Sequence, residues 1–276
     1  MSIGFDEVGE RVYLLRHPVL DVNVTLVVGD DRALLVDTLS TATQAAELAV
    51  AVRALTGHPW ILVNTHHHFD HCFGNATLVG EVTGPVYAHT AAAARLRDQP
   101  ELVRQQAYDE MRDREPALAE ELTRTTILAP THTVHLESTL DLGGRTVVLR
   151  HLGRGHTDGD LVVQVPDADL LVAGDLVESS GPPSFDDSYP LEWPETVAEL
   201  LRLTTPNTVT VPGHGPVFDT DQVRAQHEQL ATLAWLIRDG HADGAPAERV
   251  AARAPFGPEV TLPAIRLGYA ELGGDT

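Results

Sequence analysis

Cysteine is all but missing from this sequence: Cys72 stands alone among 276 residues. That excludes a disulfide within the chain and makes a reducing cytoplasm the expected compartment. Basic side chains are scarce as well. Lysine and arginine total 19 against 40 aspartates and glutamates, a net charge of −21. Nucleic acid and anionic lipid both require clustered positive charge, so neither is an expected partner. A small anionic substrate stays admissible, because bound cations can reverse a local field. Apolar runs are short, and none approaches the ~18 residues that cross a bilayer. The opening "MSIGFDEVGERVYLLRH" offers neither a basic nor an apolar leader region, so no signal peptide is expected.

What is present reads as a globular chain, 43% hydrophobic and 21% charged, long enough to bury a core. "RVYLLRH", "VNVTLVVGD" and "RALLVDT" predict strands, the last two joined by a turn at Gly29-Asp30-Asp31. "TATQAAELAVAVRALTG" has helical spacing, with Thr41 or Thr43 as cap and Gly57 as terminator. "WILVNT" then reads as a strand, and the strand–helix–strand order implies a parallel pair with a crossover. Residues from about 90 to 124 predict a polar helical insertion, broken at Pro100 and Pro116.

Strands return from "THTVHLESTLDLGGRTVVLRHLG", with a turn at Gly143-Gly144. "DLVVQVP" and "ADLLVAGD" predict a hairpin around Pro166-Asp167. "SGPPSFDDSYPLEWP" is turn-rich, "ETVAELLRLTT" is helical, and "TVTVPGHGPV" is a strand running into a loop. A helical segment over about 219–255, followed by coil, closes the chain. With no repeat, low-complexity tract or linker, one domain over 1–276 is expected.

The stretch "NTHHHFDHCFGN" puts four histidines and an aspartate into positions 66–71, directly after an apolar strand. In extended backbone, residues i and i+2 share a side. His66 and His68 can therefore converge while His67 faces away, and a turn would carry Asp70 and His71 round to a second point. Three later segments repeat one design, an apolar strand and then glycine beside His or Asp. "LGRGHTDGD" offers His156, "LLVAGDLV" offers Asp175 and "VTVPGHGPV" offers His214. Ligands at strand ends gather at one sheet edge, where glycine lets backbone approach closely. Nitrogen and carboxylate without thiolate suit Zn2+, with Fe or Mn possible. Cys72 stands outside this pattern and is expected to be a small buried residue.

H-x-H-x-D-H, followed by single His, Asp and His after three strands, resembles the metallo-β-lactamase-fold hydrolase superfamily over about Val12 to Pro216. The ligand set looks like that of glyoxalase II-type thioesterases and quorum-quenching lactonases. The resemblance implies an α+β fold, an αββα sandwich of two mixed sheets with helices outside and metals at one edge. It also implies that His66, His68 and His156 hold one metal, Asp70, His71 and His214 a second, and that Asp175 bridges them. Two Zn2+ per chain with a bridging hydroxide would attack an ester, thioester, lactone or lactam. Asp70 is then the candidate catalytic acid that handles the proton.

Asp37 occupies the place of the family's buried acid near the first histidine pair, with Asp158 and Asp160 as further supports. His67 is expected to pack or hydrogen-bond away from the metals. Phe185, Tyr189 and Trp193 are expected at the rim of the cleft, and Tyr108 on the inner side of a helical lid. Residues that bind the substrate are otherwise unassigned, as is the oligomeric state.

Departures narrow the chemistry. The β-lactamase subclass that binds metal through cysteine would have Cys at the position of Asp175. A different subclass shares the Asp-His-His site but lacks the bridging acid. Flavodiiron relatives have glutamate for the second histidine and a further domain, and nucleases carry extra domains. No obvious glutathione pocket follows His214. The alternatives within the fold are a persulfide dioxygenase, an oxidoreductase with one iron on two His and one Asp, and β-lactamase-like antibiotic hydrolysis. A small-molecule substrate is expected in either case.

Overall fold

The computed structural model describes residues 3–80 and 84–273. The chain opens with a meander of four antiparallel strands, β1 (Asp6–Gly9), β2 (Val12–Arg16), β3 (Asn23–Val28) and β4 (Ala33–Val36). Helix α1 (Ala42–Leu55) follows. Thr41, rather than Thr43, caps it by accepting from the amide of Gln44 at 3.2 Å. Its buried residues Ala45, Leu48, Ala49 and Val52 form a stripe of helical period. The chain then crosses to β5 (Trp60–Val63), parallel to β4 as the strand–helix–strand order predicts.

Two short helices, α2 (Phe69–Cys72) and α3 (Asn75–Val79), lead to β6 (Val86–His89), parallel to β5. The helical insertion consists of α4 (Thr90–Asp98), α5 (Pro100–Met111) and α6 (Pro116–Leu122). Pro100 and Pro116 open the latter two at positions where an amide hydrogen is dispensable. Strand β7 (His132–Val134) completes, among the described residues, a seven-stranded mixed sheet ordered β1 to β7.

The second sheet comprises β8 (Glu137–Asp141), β9 (Thr146–Arg150), β10 (Val162–Val165), β11 (Leu170–Gly174) and β12 (Val209–Pro212). Its spatial order is β12-β11-β10-β9-β8, with β11 and β12 parallel through a crossover by α7 (Trp193–Leu201). The hairpin between β10 and β11 turns through a 3-10 segment at Pro166–Ala168. Helices α8 (Thr220–Ala242), α9 (Ala247–Ala251) and α10 (Pro258–Gly273) end the described chain.

The coil expected after residue 255 is instead α10, and residues 274–276 lie outside the described residues. Two prolines and two glycines make this segment a poor helix locally. Burial of Thr261, Ala264, Ile265 and Gly268 on one face overrides that propensity. Gly268 is needed there, since a Cβ would stand 2.5 Å from the Ile237 side chain of α8.

Between the sheets lies an aliphatic layer: Val12, Val27, Leu34, Val36 and Val63 from one, Leu149, Val163, Val165, Val172 and Val211 from the other. Leu26, Leu35 and Leu62 face outward against α1, while Leu171 and Ala173 lie under α7, α8 and α10. Both faces of the central strands are therefore covered. That is why β4, β5 and β11 read as unbroken apolar runs and not as alternating ones. The layers are α, β, β, α, as expected. No helix of the described residues is long and apolar enough to cross a membrane.

Candidate metal centre

Strand register decides which loops meet. Val36 and Val63 are paired at the ends of β4 and β5, so Asp37 and the histidine loop leave the sheet side by side. A buried polar network pins that loop. The Asn64 amide donates to the carbonyl of His71 at 3.1 Å and to Asn75 Oδ1 at 3.0 Å, and Asn75 returns a bond of 2.8 Å. The single turn of α2 then swings Asp70 and His71 away from His66 and His68. In the other sheet Gly174 pairs with Pro212, so Asp175 and Gly213 also emerge together. A Cβ at Gly213 would sit 1.7 Å from Asp175 Oδ1, a close approach that glycine alone permits.

All seven predicted ligands come together. His66, His68, His156 and Asp175 each offer a ligand atom within 4.8 Å of the others, as do Asp70, His71 and His214. Asp175 touches both groups. Its Oδ2 lies 3.7 Å from His66 Nε2, 3.5 Å from His156 Nε2 and 3.4 Å from His214 Nε2. His71 Nε2 is 3.2 Å from its Oδ1. In the second group His214 Nε2 stands 3.4 Å from Asp70 Oδ2 and 3.3 Å from His71 Nε2. A tetrahedral ion bound at ~2.0–2.1 Å spaces neighbouring ligand atoms about 3.3–3.4 Å apart. Most of these separations are close to that edge. His68 Nδ1 and His156 Nε2, at 2.8 Å, are closer, the spacing of a shared proton.

The outward nitrogen of each imidazole is already committed. His71 Nδ1 donates to Asp37 at 2.8 Å, His214 Nδ1 to the carbonyl of Leu20 at 2.8 Å, and His156 Nδ1 to that of Ser184 at 3.3 Å. His66 Nδ1 meets Thr65 Oγ1 at 3.0 Å, and His68 Nε2 meets Asp187 Oδ1 at 3.1 Å. An N–H fixed outward turns the other nitrogen's lone pair inward. Five lone pairs and two aspartates thus face one another in a buried space. His66 Nε2 and Asp175 Oδ1 find no hydrogen-bond partner there. Buried polar atoms without partners are costly, and a cation would satisfy them. The residues fit metal ions.

Without a cation, protons are drawn to the same place. Burial opposes charge on His68, but Asp187, Asp175 and Asp70 outweigh it and raise the imidazole to about 9. The same contest raises His214 to about 10, with Asp175 the chief opponent of burial. His71 is raised well above the usual histidine range against burial, again chiefly by Asp175. Burial prevails at His156, which is lowered to about 4, and at His66, which is also lowered.

Residues 17–214 match the family model described as the metallo-β-lactamase superfamily. The chain belongs to that superfamily. It is 26% identical over 161 residues to a metallo-β-lactamase type 2 of Bacillus cereus, covering 57% of this chain and 52% of that one. The match thus spans about half of that relative's length. Among solved structures, a metallo-β-lactamase from Pontibacter korlensis shares the fold at 19% identity with a TM-score of 0.67, covering 83% of this chain and 99% of its own. FIM-1 from Pseudomonas aeruginosa, solved in a mono-zinc form, shares it at 19% identity and a TM-score of 0.63, covering 85% and 97%.

The residues expected around the two groups are placed as follows. Asp37 reaches His71 directly. It reaches His66 only through Thr65, whose amide and hydroxyl it accepts at 2.8 Å each. The Asp160 carboxylate holds Thr157, its carbonyl meets His151 Nδ1 at 2.9 Å, and burial pushes its carboxyl up to about 7. Asp158 is exposed. Phe185 and Trp193 are core residues, 2% and 0% exposed, and not rim residues. The Trp193 ring packs edge-on against His156 and its Nε1 donates to the carbonyl of Leu176. Tyr189 is half-buried beneath the Arg154 guanidinium. Tyr108 packs into the apolar cluster that joins the insertion to α2. Cys72 is buried there too, its thiol donating to the carbonyls of His67 and His68.

Sequence reasoning missed Asp187, whose Oδ2 lies 3.3 Å from His67 Nε2 while its Oδ1 meets His68. His67 does face away from the two groups, as expected, but it ends on the acid that orients His68. Glu178 was missed as well, although it follows Asp175 by three positions. Glu110 of α5 sits near enough for Asp70 to add to burial in raising it to about 7.

Proposed function

We propose that the chain is a dinuclear, zinc-dependent hydrolase of a small carbonyl substrate: an ester, thioester, lactone or lactam. One observation carries the reading: five imidazoles, each anchored on its outer nitrogen, converge around a carboxylate that touches both groups. His66, His68 and His156 would hold one ion, Asp70, His71 and His214 the other, and Asp175 both. Bound ions would polarise the carbonyl and lower the pKa of water toward neutrality. The thiolate-free, nitrogen-rich set suits zinc, the metal named for FIM-1.

The chain's own groups would do the rest. Asp37 and Asp187 hold His71 and His68 in the tautomers that ligation needs. The apolar cluster of Phe69, Phe73, Leu96, Val103 and Met111 seats the insertion over α2 and keeps water from its back. Asp70, against His71 and His214, takes up and returns the proton as the tetrahedral intermediate collapses. Asp70→Asn that kept both ions and full turnover would refute that role.

The name of the Bacillus cereus relative favours a β-lactam as one substrate to test. Asp175 weighs against it, because it stands where the cysteine-using subclass would bind metal through sulfur. Metal content by mass spectrometry, run beside hydrolysis assays on esters, thioesters, lactones and β-lactams, decides the matter. Two zinc ions per chain with turnover of one class is the expected result. A single iron with oxygen consumption on a persulfide would make the protein an oxidoreductase instead.

A further inference from the structure

Glu178 has no counterpart in the ligand pattern the sequence resembles, yet it stands at the second group. One ligand atom each of Glu178, Asp175 and His214 lie within 4.8 Å of one another. The loop carrying Glu178 is anchored on both sides. Buried Gln226 of α8 accepts from the Glu178 amide at 3.0 Å and donates to the carbonyl of Leu176 at 3.4 Å. One residue on, Ser179 donates to the carbonyl of His214 twice, from its amide at 3.2 Å and its hydroxyl at 2.9 Å. Glu178 is thereby tied to the backbone of the very histidine it faces.

Two carboxylates held this close repel unless something positive lies between them. Asp175 is 7% exposed, and its Oδ1, 3.2 Å from His71 Nε2, accepts no well-aligned hydrogen bond. Around the second group the acids are Asp70, Asp175 and Glu178, and the facing nitrogens are those of His71 and His214. From this arrangement we infer that Glu178 is an eighth ligand of the centre, a carboxylate that closes on the second cation. This rests on the two-cation reading given above. Its consequence is a second site of two nitrogens and three carboxylates. Such a site holds its ion more tightly, and accepts harder ions such as Mn2+ more readily, than Asp70, His71 and His214 would alone.

Zinc titration of the metal-free protein by calorimetry, with mass-spectrometric stoichiometry, tests this. Wild type is expected to take two ions. Glu178→Gln should take the first with unchanged affinity and the second at least ~10-fold more weakly, with Asp70→Asn as the control that weakens the same step. Metal-free Glu178→Gln should melt no lower than metal-free wild type, because one of two opposed carboxylates has gone. An unchanged second-ion constant would overturn the proposal, as would a metal-free variant that melts lower with zinc uptake intact, which marks a structural role. A wild type that binds a single ion would instead overturn the two-cation reading, and this inference with it.

Discussion

Asp187→Asn removes the charge that faces the outer nitrogen of His68 while keeping the size of the side chain. His68 is raised from 6.5 to about 9, which corresponds to about 3.4 kcal/mol between its protonation states at ~1.36 kcal/mol per unit. Asp187 shares that effect with Asp175 and Asp70, and it is 35% exposed. Solvent screening therefore reduces its own part to about 1–2 kcal/mol. Because the folded value lies above the unfolded one, this stabilisation is complete below about 6.5 and is lost as pH rises through about 9. Metal-free Asp187→Asn should melt about 2–6 °C below wild type at pH 6, and the gap should close by pH 10. Zinc should bind the first site about 10–100-fold more weakly. Thermal melts of both proteins across that pH range check the argument. An equal gap at pH 6 and pH 10 would refute it, since packing or the neutral bond to His67 would then be the cause.

The other consequences concern the same centre. His68 at about 9 and His214 at about 10 hold protons at neutral pH that an incoming cation must displace. Zinc affinity should therefore fall about tenfold per pH unit for each proton displaced as pH drops from 8 to 6, and calorimetry in buffers of different ionisation enthalpy should detect the release. A pH-independent affinity would contradict the assignment. Asp37→Asn should weaken the second ion about 10–100-fold, because its one remaining oxygen cannot accept from both the Thr65 amide and His71; metal stoichiometry under a competing chelator measures it. Gly213→Ala places a methyl group against Asp175, and dialysed protein should lose both ions together, whereas loss of one would mean that Asp175 serves a single group.

Much of this was legible in the sequence because it is local or follows from strand order. Unbroken apolar runs announced strands covered on both faces, and prolines announced the starts of α5 and α6. Ligands after strands meet because parallel register brings strand ends to one edge. What stayed hidden depends on contacts with no local signature. Asp187 lies 119 positions from His68, in a turn-rich segment where aspartate has an ordinary role as a turn residue. The same segment misled the reading of Phe185 and Trp193. Its position just after Asp175 suggested the rim of the cleft, but both belong to the core that α7, α8 and α10 build on the second sheet. In α10 a weak local propensity was overruled by one well-packed face.

The placement of the ligands ties the centre to the integrity of the sandwich. His66, His68, Asp70 and His71 leave the first sheet, while His156, Asp175 and His214 leave the second. Each ligand group draws from both. A cation in either place would bridge the two sheets at an edge where the protein has bonds of its own. The Asn23 side chain donates to the carbonyls of Pro212 and Gly215 at 2.9 and 2.8 Å, and Leu20 accepts from His214. Leu161 likewise donates to the carbonyl of Thr65 at 2.7 Å, across the sheets on the other side of the cluster. These bonds run between the two sheets at the edge where both groups of side chains sit. Bound ions would therefore add to an edge that hydrogen bonds also hold in register.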